Sequence, residues 1–267
     1  MPSSPPPLAG RNRAAIVDEL RRLLPRMESA GGSVRARAFD LAALDAHLPH
    51  GGLALGALHE VAPQQHGDMP AAFGFLVALL ARFLPEHAPT NNRPLLLVAA
   101  HRTLADHGRP HGHGLRQLGL DPARLILVET RNDSQALWAM EEALRSQAPA
   151  AVGGAAARLD LKASQRLHLA AGEAGLPLVL LRPARADDAS AAATRWRIGA
   201  AEAARDRYGL VARTRWRARL ERCRNGRPGD WLVEFDHAAY RFSLAAPLAD
   251  PAFSRGADAR AVLRRAG

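Results

Sequence analysis

Five short apolar runs, separated by segments with helical spacing, constrain this chain more than any other feature. GALHEVA (56–62), PLLLVAA (94–100), LILVET (125–130), APAAVG (148–153) and LPLVLL (176–181) are short and lie near turn-forming or polar residues. That is the mark of strands buried on both faces. Between them, residues 70–84 predict an apolar helix with proline in its first turn. Residues 133–147 predict a second, with Asp133 or Ser134 as N-cap and Leu137, Met140 and Leu144 on one face. Residues 161–174 predict a third, stopped by Gly175. Parallel strands need crossover helices, so the class is α/β, with a mostly parallel sheet flanked by helices.

The pattern changes after Arg182. Residues 184–193 read as a small, polar, mobile loop. From 211 to 219 the chain alternates, with Arg213, Arg215, Arg217 and Arg219 on one side and Thr214, Trp216 and Ala218 on the other. Asn225-Gly226 and Pro228-Gly229 supply a turn, and 231–236 (WLVEFD) returns, predicting a C-terminal antiparallel hairpin with a basic face. Before the core, residues 1–32 read as a proline-rich disordered tip and an amphipathic helix over 11–28, whose stripe is Ile16, Leu20, Leu23, Leu24 and Met27. Such a helix is a candidate docking element for a neighbouring subunit. The core is expected over 33–245, followed by a weakly ordered tail over 246–267.

The chain of 267 residues is 48% hydrophobic and carries a formal charge of +10. No apolar run approaches the ~20 residues that span a bilayer, and the N-terminus lacks the pattern of a secretory signal. A single cysteine, Cys223, excludes an internal disulfide and fits a reducing compartment. The expected location is cytoplasmic and nucleoid-associated, with no membrane partner. Lys162 is the only lysine, an arginine preference that GC-rich coding explains. Placement says more: between 195 and 227, eleven arginines meet only Glu202, Asp206 and Glu221. A block of that sign favours polyanions or an acidic protein surface.

The run HEVAPQQHGDM (59–69) has the order strand, turn, helix of a phosphate-binding loop. A working loop needs backbone N–H groups for the phosphates, a lysine for the β/γ oxygens and a hydroxyl for magnesium. Here Gly67 stands, but Asp68 occupies the lysine position, and Met69 and Pro70 stand where hydroxyls belong. One like-charge pair at ~4 Å costs about 1 kcal/mol in water and roughly 4 kcal/mol at a surface-like dielectric. Lys162 has no glycine loop before it, and no acid closes the 148–153 run. Asp68 as a helix N-cap is the plain structural alternative. No catalytic residue, cofactor or metal site is expected. His101, Asp106, His107, His111 and His113 cluster, yet the glycines and proline among them describe a solvated loop.

Across residues from about 40 to 245 the chain resembles the ImuA family, RecA-like proteins associated with translesion DNA synthesis. The resemblance rests on LPHGGLALGALHEV, HGLRQLGLDPARLILVE, LDLKASQRLHLAAGEAGLPLVLLRP, Thr194-Arg195-Trp196-Arg197 and RCRNGRPGDWLVEF, in that order. It implies a non-catalytic accessory factor of an SOS-induced mutagenesis cassette. The partners it implies are an ImuB-like inactive relative of Y-family polymerases and an error-prone polymerase subunit. RecA and single-stranded DNA are further candidate partners.

Arg195, Trp196, Arg197, Arg213, Arg215, Arg217 and Arg219 are the candidate contacts for nucleic acid or an acidic partner, with the tryptophans available to stack on bases. The alternative places Trp216 in the core beneath a solvated arginine face. Two functional rivals remain, an active DNA-dependent ATPase and a stand-alone basic nucleic-acid-binding module.

Overall fold

The computed structural model describes residues 35–84, 93–105, 108–186 and 188–245. Strands β1 (Ala36–Arg37) and β2 (Leu53–Ala54) form a two-stranded antiparallel ladder around helix α1 (Ala42–Asp45). Then come β3 (Leu58–Pro63), α2 (Met69–Phe83), β4 (Leu95–Ala100), the short helices α3 (His101–Ala105) and α4 (Gly112–Gln117), and β5 (Leu125–Thr130). Helix α5 (Asp133–Ser146), β6 (Ala151–Ala155), α6 (Leu161–Ala174) and β7 (Leu178–Leu181) follow. Five strands complete the described chain: β8 (Thr194–Ala200), β9 (Ala204–Arg205), β10 (Val211–Cys223), β11 (Gly229–Asp236) and β12 (Arg241–Leu244). The expected helix over 11–28 and the tail over 246–267 lie outside the described residues.

One large sheet runs β12-β11-β10-β8-β3-β7-β6-β4-β5, with β9 paired to β10. The six strands from β8 to β5 are parallel, and β10, β11 and β12 join antiparallel. The sequence explains why helices cover both faces. Along β7, Leu178 and Leu180 pack with α5 and α6, whereas Val179 and Leu181 pack with α2. Leu95, Leu97 and Val98 of β4 divide the same way. A strand apolar at every position has no wet side, so burial on one face alone would strand half of it in water. The expected α/β architecture with a mostly parallel sheet is the one observed.

Local chemistry sets the helix ends. Asn132, one residue before the two expected caps, closes α5: its Oδ1 accepts from Gln135 N at 3.0 Å. Asp133 instead accepts from the backbone N of Arg158 at 2.9 Å, tying the α5 start to the loop after β6. Asp160 caps α6, and Gly175 ends it in the left-handed region at φ 64.

Two expectations change. Thr194 to Ala200, not foreseen as a strand, is β8 beside β3, because Trp196 and Ile198 bury between arginines that find acids. The segment 184–193, expected as a mobile loop, packs down: Ala186, Ser190, Ala191 and Ala192 are buried, and Ser190 Oγ donates to buried Glu60 at 2.6 Å.

The α2 face of the sheet is pinned by aromatic rings. Phe75 of α2 lies 6.0 Å from Trp196, 5.6 Å from Trp216 and 5.8 Å from Phe242 between ring centroids. Such pairs add ~0.5–1.5 kcal/mol each beyond area burial. They hold α2, and with it the turn after β3, in one position.

Candidate functional site

The turn between β3 and α2 spans residues 64–68 at the carboxyl end of the parallel sheet. Gln64 N donates to Ile198 O of β8 at 2.8 Å, carrying the β3–β8 ladder past the end of β3. A 3₁₀ turn over His66–Asp68 follows, with a reciprocal capping box between Gln65 and Asp68.

Asp68 is only 6% exposed. Its Oδ2 accepts from Gln65 N at 3.2 Å and its Oδ1 from Ala200 N at 3.0 Å. The carboxylate does not cap α2, although it stands at that helix's N-cap position. It is a fastener instead, closing the turn on itself and bolting it to the end of β8. Backbone N–H groups that could face an anion face the chain's own anion. This corrects the expectation of a simple cap. The bonds run backward to the turn and across to the next strand because the side chain lies beneath the loop.

Gly67 is exposed, outside the left-handed region, and a Cβ there would meet nothing within 4 Å. The turn therefore has no steric need of glycine at 67. Met69 and Pro70, at the hydroxyl positions, help line an apolar cavity of about 250 Å³ with Phe73, Leu97 and Leu181. Gly153 and Gly154 lie inside β6, where Cβ atoms would stand 2.5 Å from Leu80 Cδ1 and 2.3 Å from Met140 Sδ. They let helices approach both faces of the sheet.

The arginine candidates separate into two groups. Arg195 Nε meets Glu60 Oε2 at 2.8 Å, and Arg197 Nε meets Glu221 Oε2 at 3.1 Å. Arg215 places Nε at 2.6 Å and Nη2 at 2.5 Å from Glu234 Oε1, and Arg213 reaches both Glu234 and Asp236. The Glu234 carboxyl feels burial that would raise its pKa, but the Arg215 and Arg213 hydrogen bonds and charges outweigh this and hold it low. Arg213, Arg217 and Arg219 are all exposed as read from the alternation, but Arg213 is paired with acids.

Trp196 is 0% exposed, its Nε1 donating to Thr194 Oγ1 at 3.1 Å, and Trp216 is 2% exposed. Neither indole is placed to stack on a base, which corrects the stacking expectation. Both are pillars of the core, because even positions on these strands face α2.

The described histidines of this cluster do not converge. His101 Nδ1 lies 4.0 Å from Glu129, whose main partner is Arg109 at 2.6 Å, and His113 bonds Gln117. Among the described residues no group of three His, Cys, Asp or Glu is placed to hold a metal; Asp106 and His107 lie outside them.

Sequence reasoning missed a broad concavity, a cleft of about 950 Å³ at the carboxyl edge of the sheet whose lining includes Arg102, Arg131 and Arg158. Each of these arginines follows a different strand, so no window of sequence shows them together. Their common signal is position within four residues of a strand's end.

These features define an α/β protein on a mostly parallel central sheet, with helices on both faces and a strand–turn–helix unit closed by its own carboxylate. No protein-family model matches the chain. Protein ImuA of Caulobacter vibrioides, from strain NA1000 / CB15N and from strain ATCC 19089, is 38% identical over 232 residues, covering 80% of this chain and 90% of that protein. The chain belongs to the ImuA family. Among solved structures, SulA from Pseudomonas aeruginosa is similar over 47% of this chain and 97% of its own, with 23% identity and a TM-score of 0.37.

Proposed function

We propose that this protein is a non-catalytic, RecA-like accessory factor in SOS-induced translesion DNA synthesis. It links DNA, or a RecA filament on it, to an ImuB-like relative of Y-family polymerases and an error-prone polymerase subunit. Family membership supports the setting. The observation that carries the non-catalytic part is the Asp68 carboxylate, buried in the turn and satisfied by Gln65 N and Ala200 N. A triphosphate brought to that turn would meet a fixed negative charge, find two N–H groups spent, and find no lysine at 68 and no hydroxyl at 69 or 70. An active ATPase is the rival reading, and magnesium-dependent hydrolysis stimulated by DNA separates the two. Co-purification with an ImuB-like protein, in the absence of nucleotide, tests the adaptor reading: a stable complex is expected, and no association at any nucleotide state would remove it.

A further inference from the structure

Four exposed arginines at the carboxyl edge of the sheet form a row that topology assembles. Strands β7, β6, β4 and β5 are consecutive neighbours in the sheet. Arg185 follows β7, Arg158 follows β6, Arg102 follows β4 and Arg131 follows β5, so each neighbouring strand delivers one guanidinium to the same edge. At about 4.8 Å between strands, the row covers roughly 14 Å.

Arg102, Arg131 and Arg158 line the 950 Å³ cleft, and Arg185 lines an adjoining groove of about 560 Å³. His66 and Pro183 line both, so groove and cleft are continuous. All four arginines are exposed, and none meets a carboxylate among the described residues. The two acids in the cleft wall are already engaged, Asp133 by Arg158 N and Asp160 by Ala163 N. This contrasts with the β8 and β10 arginines, four of which are held by acids.

We propose that this row is a track for the backbone of single-stranded nucleic acid, laid along the carboxyl edge of the sheet across the ends of β7, β6, β4 and β5. A polymer with one charge on every repeat suits a row of cations at strand pitch, and a guanidinium presents two parallel donors to a phosphate. No Phe, Tyr or Trp lines the cleft or groove among the described residues. The track therefore reads phosphates and not bases, and its binding depends steeply on salt and little on base identity. The accessory-factor reading supplies only the class of partner; the row stands on its own geometry.

The test is equilibrium binding of the full chain to end-labelled oligothymidylate across a salt series, with an oligoadenylate and a polyglutamate of matched length as further arms. Four phosphate contacts give a slope of log K against log salt near about −2.8. Arg102→Gln with Arg158→Gln should lower the slope by roughly 1.4 and weaken binding about 25-fold at ~0.1 M salt. Arg217→Gln with Arg219→Gln, equally exposed and equally basic, should leave both unchanged.

The inference is overturned if the cleft pair binds as the native chain does, if the β10 pair carries the loss, or if polyglutamate binds as tightly as oligothymidylate. The substituted side chains are exposed, and an unaltered melting curve for each variant establishes that the comparison is between folded proteins. Loss of DNA binding with the ImuB-like complex intact, or the reverse, tells the failure of this inference from the failure of the adaptor reading.

Discussion

Replacing Asp68 with alanine removes both bonds that close the β3–α2 turn, those from Gln65 N and Ala200 N. Hydrogen bonds to a charged acceptor contribute ~1.5–3 kcal/mol each, a gross loss of about 3–6 kcal/mol. Two effects reduce it. The buried carboxylate no longer bears its desolvation cost, and Gln65 and Ala200 are exposed, so water can reach their freed N–H groups. The expected net loss is about 2–3 kcal/mol, which for a core of this size lowers the melting temperature by roughly 5–10 °C. Asp68→Asn keeps one acceptor oxygen and should fall between, near ~1 kcal/mol. Urea unfolding monitored by tryptophan fluorescence suits the measurement, because Trp196 and Trp216 are buried beside α2. Equal or greater stability in Asp68→Ala would refute the reasoning, since the carboxylate would then be a strained relic of the turn and not its fastener.

Gly67→Ala should change stability by no more than ~0.5 kcal/mol, because its Cβ meets open space and its φ suits any residue; a loss above ~1 kcal/mol in urea unfolding would restore a conformational role to that glycine. Glu234→Gln should destabilise by about 2–3 kcal/mol, somewhat below the ~3–5 kcal/mol of a fully buried pair because Arg213 is half exposed. Its acid sensitivity supplies a second readout: the folded carboxyl lies below its usual 4.5, so its contribution is complete above that pH and lost as pH falls below it, and the variant lacks this limb. His59, wholly buried, has its pKa lowered from 6.5 to about 4, chiefly by desolvation. The unfolded chain therefore takes the proton first, so stability is whole above pH 6.5 and up to about 3 kcal/mol drains away as pH falls toward 4. His59→Gln should flatten that part of the stability–pH curve, and an unchanged slope would assign the effect elsewhere.

The parts of this fold legible in the sequence are those decided by local pattern. LILVET and the α6 segment ended by Gly175 were readable to the residue, because apolar runs and a left-handed glycine act over a few positions. Strand β8 was not readable: TRWRIGA alternates, but its charged residues look like a surface until Glu60 and Glu221 arrive from other strands. For the same reason, charge in a sequence window overstated the basic hairpin. Arg215 stands opposite Glu234 across a ladder whose register no local count contains, and Arg213 reaches the same acid. The sequence shows an acid at 68, where a phosphate-binding loop carries a lysine. That its carboxylate would reach Ala200, 132 positions away in sequence, depended on β8 lying next to β3. The carboxyl-edge arginine row is invisible for the converse reason, since parallel topology gathers residues that crossovers keep apart.

The central claim is that the chain's own carboxylate has taken the place of a bound phosphate. Equilibrium titration of the intact chain with fluorescent ATP and magnesium tests it most directly. No saturable magnesium-dependent binding into the millimolar range is expected, for the native chain and for Gly67→Ala alike, the arginine row adding only salt-sensitive binding that needs no magnesium. Micromolar, magnesium-dependent binding that is lost when the β3–α2 turn is altered would contradict it.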